Sequence, residues 1–250
     1  MHTFTYGVIR KIFNVATYGV LGMEVIGEEN IPEKGPFLVV CNHASNFDPP
    51  LLGTAMRHHL IHFMAKEELF RNPLMGWFLR YVHTFPVHRG HIDRKAVIES
   101  FRVLKSGEVL GIFPEGKRTR GGKVGPFHEG FAGIAIKAKV PVLPAAIVNS
   151  EFLPKKTGPV RVIFGKPVPA PQGKASDRDL VKGFSDEIRD IIIAMQNQYK
   201  GDAYPGTHHP QSASCRAFSR SWRIAGRLAG RCRQGGCHPD TLSRSRPGCL

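Results

Sequence analysis

A histidine and an aspartate five residues apart, His43 and Asp48, have side chains suited to acid–base chemistry. Imidazole exchanges protons near neutral pH, which suits a general base. A carboxylate that reaches back across a turn can fix the imidazole tautomer and stabilise the imidazolium that forms. This spacing also recurs by chance, and the alternative is a surface histidine followed by a turn-forming aspartate before Pro49.

A nucleophile that would complete a hydrolase triad is hard to find near this pair. Ser45 and Cys41 are close in sequence, but the chain has no G-x-S-x-G nucleophile elbow. Neither side chain has a visible activating partner, so we interpret both as structural or hydrogen-bonding neighbours. If the protein offers no nucleophile, His43 would deprotonate a hydroxyl of the substrate directly, and the reaction would be a direct acyl transfer.

A basic, glycine-rich segment offers a place for a phosphate. From Glu115 to Lys123 it carries one carboxylate, three glycines and four cations. Glycines let backbone N–H groups approach an anion, and arginine can grip phosphate through two hydrogen bonds. Arg89, in Phe85-Pro86-Val87-His88-Arg89, adds a further cation. The alternative is a solvated basic loop, and a nucleotide P-loop is excluded because the G-x4-G-K-[ST] pattern is absent.

Short apolar runs of strand length alternate with segments of helical periodicity, which predicts an α/β fold. We expect a single domain with a mixed, largely parallel sheet flanked by helices. Strands are predicted near residues 22–27, 37–41, 62–65, 84–88, 109–113, 142–148 and 160–164. Helices are predicted from 49, over 66–81 with a break at Pro73, and over 93–105, 128–138 and 176–199. Ser176 and Asp179 resemble a capping box for the last helix. The motif residues follow the ends of strands, where α/β sheets usually bind ligands.

The first 21 residues predict a helix that lies in a membrane interface. Their apolar residues recur at helical spacing, but Arg10 and Lys11 interrupt the run, so we do not expect a transmembrane span. The alternative is a helix packed on the body of the protein. The apolar positions are Phe4, Val8, Ile9, Ile12, Phe13, Ala16 and Val20.

Charge and cysteine content change sharply after residue 200. The net charge is +15, of which +9 falls in residues 1–200 and +6 in 201–250. A basic surface attracts anionic lipid, phosphorylated substrate or nucleic acid, and no nucleic-acid module is present. Four of five cysteines lie in residues 201–250, so the body has no disulfide framework and suits a reducing cytoplasm. The Cys232, Cys237 and His238 cluster lacks a second ligand pair, so we expect no metal.

Four motifs in order carry a resemblance to a known family. They are Asn42-His43-x4-Asp48, Phe85-Pro86-Val87-x-Arg89, Phe113-Pro114-Glu115-Gly116-x-Arg118 and Val140-Pro141-Val142-x-Pro144. Together they resemble the 1-acylglycerol-3-phosphate acyltransferases of bacterial type, within the glycerolipid acyltransferases, over about residues 20–165. Two positions depart from that pattern: Lys117 stands where Thr is common, and His88 precedes Arg89 at a position where an acidic or basic residue is frequent.

The resemblance implies transfer of a fatty acyl group from acyl-CoA or acyl-ACP to the free hydroxyl of lysophosphatidate. It makes His43 the base and Asp48 its partner, and it assigns the glycerophosphate to Arg89, Glu115, Gly116 and Arg118. No bound cofactor is expected, and acyl carrier protein is a possible partner. We expect a peripheral or monotopic protein on the cytoplasmic face of the membrane, touching anionic lipid. The alternatives are glycerol-3-phosphate or another lysolipid as acceptor, an inactive membrane-binding module, or a nucleic-acid-binding protein.

These observations predict three parts of the chain. Residues 1–21 form the interface helix, residues 22–200 form the acyltransferase domain, and residues 201–250 form a disordered tail rich in Arg, Ser, Gly and Cys.

Overall fold

The computed structural model describes residues 15–20, 22–88, 93–153 and 159–200. Within them, seven strands form one sheet. The strands are β1 (Glu24–Ile26), β2 (Phe37–Cys41), β3 (Ile61–Lys66), β4 (Thr84–Val87), β5 (Val109–Ile112), β6 (Val142–Val148) and β7 (Arg161–Phe164).

The strand order is β1-β7-β6-β2-β5-β3-β4, and every neighbouring pair is parallel except β6 with β7. This arrangement confirms the predicted mixed, largely parallel sheet. β2 is central, and Val39 lies opposite Gly111 of β5 and Leu143 of β6. Because β2, β3, β4, β5 and β6 all run in one direction, their carboxyl ends meet at one edge of the sheet. We call this edge the carboxyl edge.

Five α-helices flank the sheet: α1 (Asp48–Ala55), α2 (Pro73–Tyr81), α3 (Arg94–Lys105), α4 (Gly130–Ala138) and α5 (Arg178–Lys200). Apolar residues of α3, α4 and α5 join one core cluster with alternate strand residues, and those of α1 join a second. Every residue of β2 and β6 is buried, as expected for strands covered on both faces.

Short side chains determine where two of the helices begin. Asp93, at the start of the helix predicted over 93–105, caps α3 by accepting from the N–H groups of Lys95 and Ala96. The predicted capping box at Ser176 is wrong. The last helix begins at Arg178, and Asp177 accepts from the N–H of Leu180 at 3.2 Å. Ser and Asp are both favoured at a helix N-cap. Because the helix begins at Arg178, the residue directly before it, Asp177, takes this position.

Two predicted segments fall largely or wholly outside the described residues. Residues 1–14 of the predicted interface helix are outside them, and its last described part, Val15–Val20, is a π-helix. The tail, 201–250, is outside them entirely. Among the residues described, no helix combines the length and hydrophobicity that crossing a bilayer requires.

A buried amide joins the two strands at the centre of the carboxyl edge, β2 and β6. Asn42 follows β2, and its Nδ2 donates to the carbonyl of Ile147 in β6 at 3.0 Å. Its Oδ1 accepts from the N–H of Ile147 at 2.8 Å. The side chain thereby continues the β2–β6 pairing past the end of β2, and it holds the start of the His43 loop against the sheet.

Replacement of Asn42 by Ala should leave a buried N–H and a buried C=O of Ile147 without their partner. We expect the free energy of unfolding to fall by about 1–3 kcal/mol, the usual cost of unsatisfied buried polar groups. Urea unfolding would measure it. Asn46→Ala is the matched control, because Asn46 lies in the same loop and is exposed. Equal stability of the two variants would contradict the role of this link.

Candidate active site

His43 and Asp48, predicted to interact from their spacing, are in direct contact. Nδ1 of His43 lies 2.8 Å from Oδ2 of Asp48, in the loop between β2 and α1. A carboxylate can only accept here, so Nδ1 carries the hydrogen and Nε2 keeps its lone pair. The Asp48 side chain is fully buried, whereas that of His43 is 16% exposed. The imidazole can therefore meet a substrate while its partner is shielded from water.

Oδ2 of Asp48 also accepts two backbone hydrogen bonds. The N–H groups of Ala44 and Ser45 both lie 2.7 Å from it. These bonds stabilise a carboxylate that has no contact with solvent, and they close the loop into a tight turn. Asp48 is also the first residue of α1, where the helix dipole favours a negative charge.

The imidazole of His43 is held on one side by an aromatic stack. Its ring centroid is 4.5 Å from that of Phe113, and Phe113 lies 5.8 Å from Phe63 of β3. Gly111 of β5 makes room for this stack, because a Cβ there would lie 2.5 Å from the Phe63 ring. Three neighbouring strands thus position one histidine ring.

The main chain of His43 is also held, by the loop that follows β5. The N–H of His43 donates to Oε1 of Glu115 at 3.3 Å. The carbonyl of His43 accepts from the N–H of Thr119 at 2.8 Å and from its hydroxyl at 3.2 Å. Glu115 is 4% exposed, and this burial raises the pKa of its carboxyl, while the His43 N–H acts in the opposite direction.

Two cations of that loop are exposed to solvent, directly after a turn at Gly116. Gly116 has a φ of 66°, and a Cβ there would lie 3.0 Å from the His128 ring, so the turn requires a glycine. Lys117 and Arg118 are exposed. Of the remaining predicted phosphate ligands, Arg89 lies outside the described residues.

Neither nearby candidate nucleophile is available for attack. Cys41 is completely buried, and burial raises the pKa of its thiol well above the ordinary value. Ser45 is also buried, and its Oγ accepts from the N–H of Phe47 at 3.3 Å. Both are structural, and a base that acts directly on a substrate hydroxyl fits this geometry.

Sequence reasoning did not identify three residues that shape this site. Asn42 and Phe113 lie inside the recognised motifs, and Thr119 directly follows one of them, but their contacts with β6, the imidazole ring and the His43 carbonyl depend on strand order. Their positions beside His43, Glu115 and Arg118 were the only signal. In the described part of the chain, no cluster of three or more His, Cys, Asp or Glu residues could hold a metal ion.

Comparison with known proteins extends this picture. The model of the Acyltransferase family matches residues 22–148. A 1-acyl-sn-glycerol-3-phosphate acyltransferase of Bacillus subtilis is 36% identical over 149 residues, 59% of this chain and 74% of the relative. One of Borreliella burgdorferi is 32% identical over 129 residues, about half of each protein.

A solved structure agrees with the fold. The 1-acyl-sn-glycerophosphate acyltransferase PlsC of Thermotoga maritima superposes with a TM-score of 0.63 at 29% identity, covering 79% of this chain and 80% of that one. The family match covers both His43 with Asp48 and the loop after β5. The resemblance drawn from the four motifs is therefore confirmed, and the chain belongs to the Acyltransferase family.

Proposed function

We propose that the protein transfers a fatty acyl group from a thioester to the free hydroxyl of 1-acylglycerol-3-phosphate and so forms phosphatidate in phospholipid synthesis. The observation that carries this proposal is the His43–Asp48 pair beside an exposed cationic loop. The names of the relatives support the same reaction. No bound cofactor is needed, because the acyl donor is a co-substrate, either acyl-CoA or acyl-ACP.

The chemical step needs one proton acceptor. Nε2 of His43 takes the hydroxyl proton as the acceptor oxygen attacks the thioester carbonyl. The new C–O bond forms, the C–S bond breaks, and the imidazolium returns the proton to the leaving thiolate. Asp48, held by three donors, keeps the imidazole oriented and stabilises its transient positive charge.

The acceptor phosphate is proposed to bind at the loop after β5. The exposed guanidinium of Arg118 supplies charge and paired hydrogen bonds, and the turn at Gly116, with its φ of 66°, precedes this exposed part of the loop. Arg89 and Glu115 complete the set of residues that the motifs assign to the glycerophosphate. Binding of the phosphate would orient the hydroxyl towards His43.

His43→Ala should abolish turnover while the fold is kept. Asp48→Asn should lower kcat by about 10²–10⁴-fold, because a misoriented imidazole loses base catalysis. The purified protein would be given lysophosphatidate with acyl-CoA or acyl-ACP, and the product identified by mass. Near-normal turnover by His43→Ala would refute the base assignment.

The same assay tests the alternatives for the acceptor and the donor. Glycerol-3-phosphate and lysolipids without a free phosphate would be supplied in parallel. If glycerol-3-phosphate is acylated and lysophosphatidate is not, the proposed acceptor is wrong. Turnover with only one thioester would identify the donor and decide whether acyl carrier protein is a partner.

We also propose that the protein works at the cytoplasmic face of the cell membrane as a peripheral or monotopic protein in contact with anionic lipid. Besides the basic residues, exposed apolar side chains on α2 and just before it support this location. Four of the seven exposed large apolar side chains in the described residues fall between 69 and 77, namely Leu69, Leu74, Met75 and Trp77. Leu74 is 75% exposed and Trp77 59%. Such a patch commonly marks a binding surface.

The surroundings of this patch suit an anionic bilayer. Arg71 and Arg80 are exposed within the same segment. The neighbouring acidic residues are already paired, Glu68 with Lys66 at 3.0 Å and Glu67 with His88. Trp77 stacks on Tyr81, a pair typical of the membrane–water boundary. The segment begins directly after β3, at the carboxyl edge of the sheet.

Replacing both Leu74 and Trp77 by Ser should weaken binding to vesicles of phosphatidylcholine and phosphatidylglycerol by about tenfold or more, because each side chain buries apolar area in the interface. Co-sedimentation would measure it. Ile98→Ser is the matched control, because Ile98 is 67% exposed on α3. Equal losses in the two proteins would contradict the proposed surface.

We further propose that residues 22–200 form the acyltransferase domain and that the tail, 201–250, is dispensable. A chain ending at residue 200 should keep its thermal unfolding temperature and its turnover, since every strand of the sheet precedes that point. Calorimetry and the acyl-transfer assay would measure them. Loss of folding would contradict this division.

A further inference from the structure

We propose that Glu115 acts on His43 and not on the acceptor. In this proposal its carboxylate fixes the main chain of the catalytic histidine, so that Glu115 is a positioning residue. The inference rests on the proposed function and deepens it, because it changes the assignment of one residue that the motifs give to the glycerophosphate.

The direction of the Glu115 side chain is the first observation. It points inward from the end of β5 and is 4% exposed, whereas the next two cations, Lys117 and Arg118, are exposed. Its Oε1 accepts from the N–H of His43 at 3.3 Å. The turn at Gly116, whose N–H donates to the carbonyl of Phe113, separates the inward carboxylate from the outward cations.

Charge gives the second argument. A phosphate that binds this loop carries negative charge, and a neighbouring carboxylate would repel it. Lys117 and Arg118 are the groups that attract such a ligand. A buried carboxylate needs donors, and the His43 N–H is one that the structure supplies. Burial already raises the pKa of Glu115, so a phosphate beside it would increase an existing electrostatic cost.

Thr119 completes the arrangement from the other side. Its N–H and its hydroxyl both donate to the carbonyl of His43, at 2.8 and 3.2 Å. Glu115 and Thr119 are four residues apart in the loop after β5. Together they bind the N–H and the carbonyl of His43, which lies in the loop after the neighbouring strand β2. Arg118 lies between them in sequence, so one loop carries the proposed phosphate contact and the support of the base.

This arrangement has a kinetic consequence. The hydrogen bond to Asp48 fixes the orientation of the imidazole ring. The position from which the side chain extends is fixed by the main chain of His43. A base that is misplaced by about 1 Å can lose on the order of 10²-fold in rate. Loss of Glu115 should therefore lower kcat, whereas loss of a phosphate ligand should raise the KM for lysophosphatidate.

The test compares Glu115→Ala, Glu115→Gln and Arg118→Ala in the full chain. We expect Glu115→Ala to lower kcat by about 10- to 100-fold with less than about a threefold change in the KM for lysophosphatidate. Glu115→Gln keeps an acceptor oxygen for the His43 N–H and should restore most of the lost kcat. Arg118→Ala should mainly raise that KM. Glu129→Ala controls for removal of an exposed carboxylate near the same loop.

A second measurement does not depend on turnover. In ¹H–¹⁵N spectra, the His43 amide proton should move upfield in Glu115→Ala, and Glu115→Gln should keep most of its downfield shift. A large rise in KM for both Glu115 variants with unchanged kcat would overturn the proposal. So would a His43 amide that does not respond to Glu115→Ala in a folded protein. If the wild type fails to acylate lysophosphatidate, the proposed function is wrong, and the amide shift still tests the contact.

Discussion

The acceptance of three hydrogen bonds by Oδ2 of Asp48 is the interaction on which the candidate active site depends. One oxygen atom receives the imidazole and two successive backbone N–H groups, all within 2.8 Å. Because Asp48 is fully buried, an unpaired charge there would be costly, so the loop must keep the shape that supplies these donors. The same shape places His43 beside the end of β2 and starts α1.

The sheet determines what surrounds this loop. β2 lies between β5 and β6, so the loop after β2 meets Glu115 and Thr119 on one side and Ile147 on the other. Each of these contacts pairs a polar group of the loop that would otherwise lack a hydrogen-bond partner at the edge of the sheet. In the loop after β5, the inward residues Glu115 and Thr119 hold the His43 main chain, and the cations Lys117 and Arg118 are exposed to solvent.

Much of the local structure follows from short-range rules. The strand predicted near residues 37–41 is present and buried on both faces, and Asp93 caps α3, which lies where a helix was predicted over 93–105. The error at Ser176 has a local cause, because Asp177 is an equally good cap and the backbone starts the helix one residue later. Spacing identified His43 and Asp48, since five residues across one turn bring the two side chains together.

The sequence alone therefore determined the features that depend on residues close together in the chain. These are the helices and strands, the His43–Asp48 pair and the cationic character of the loop after β5. The tertiary structure decided which of the loop's charged groups face inward. Glu115 is seventy-two residues from His43, and their contact exists only because β5 pairs with β2. Strand order depends on packing over the whole domain, so a short sequence pattern cannot predict it.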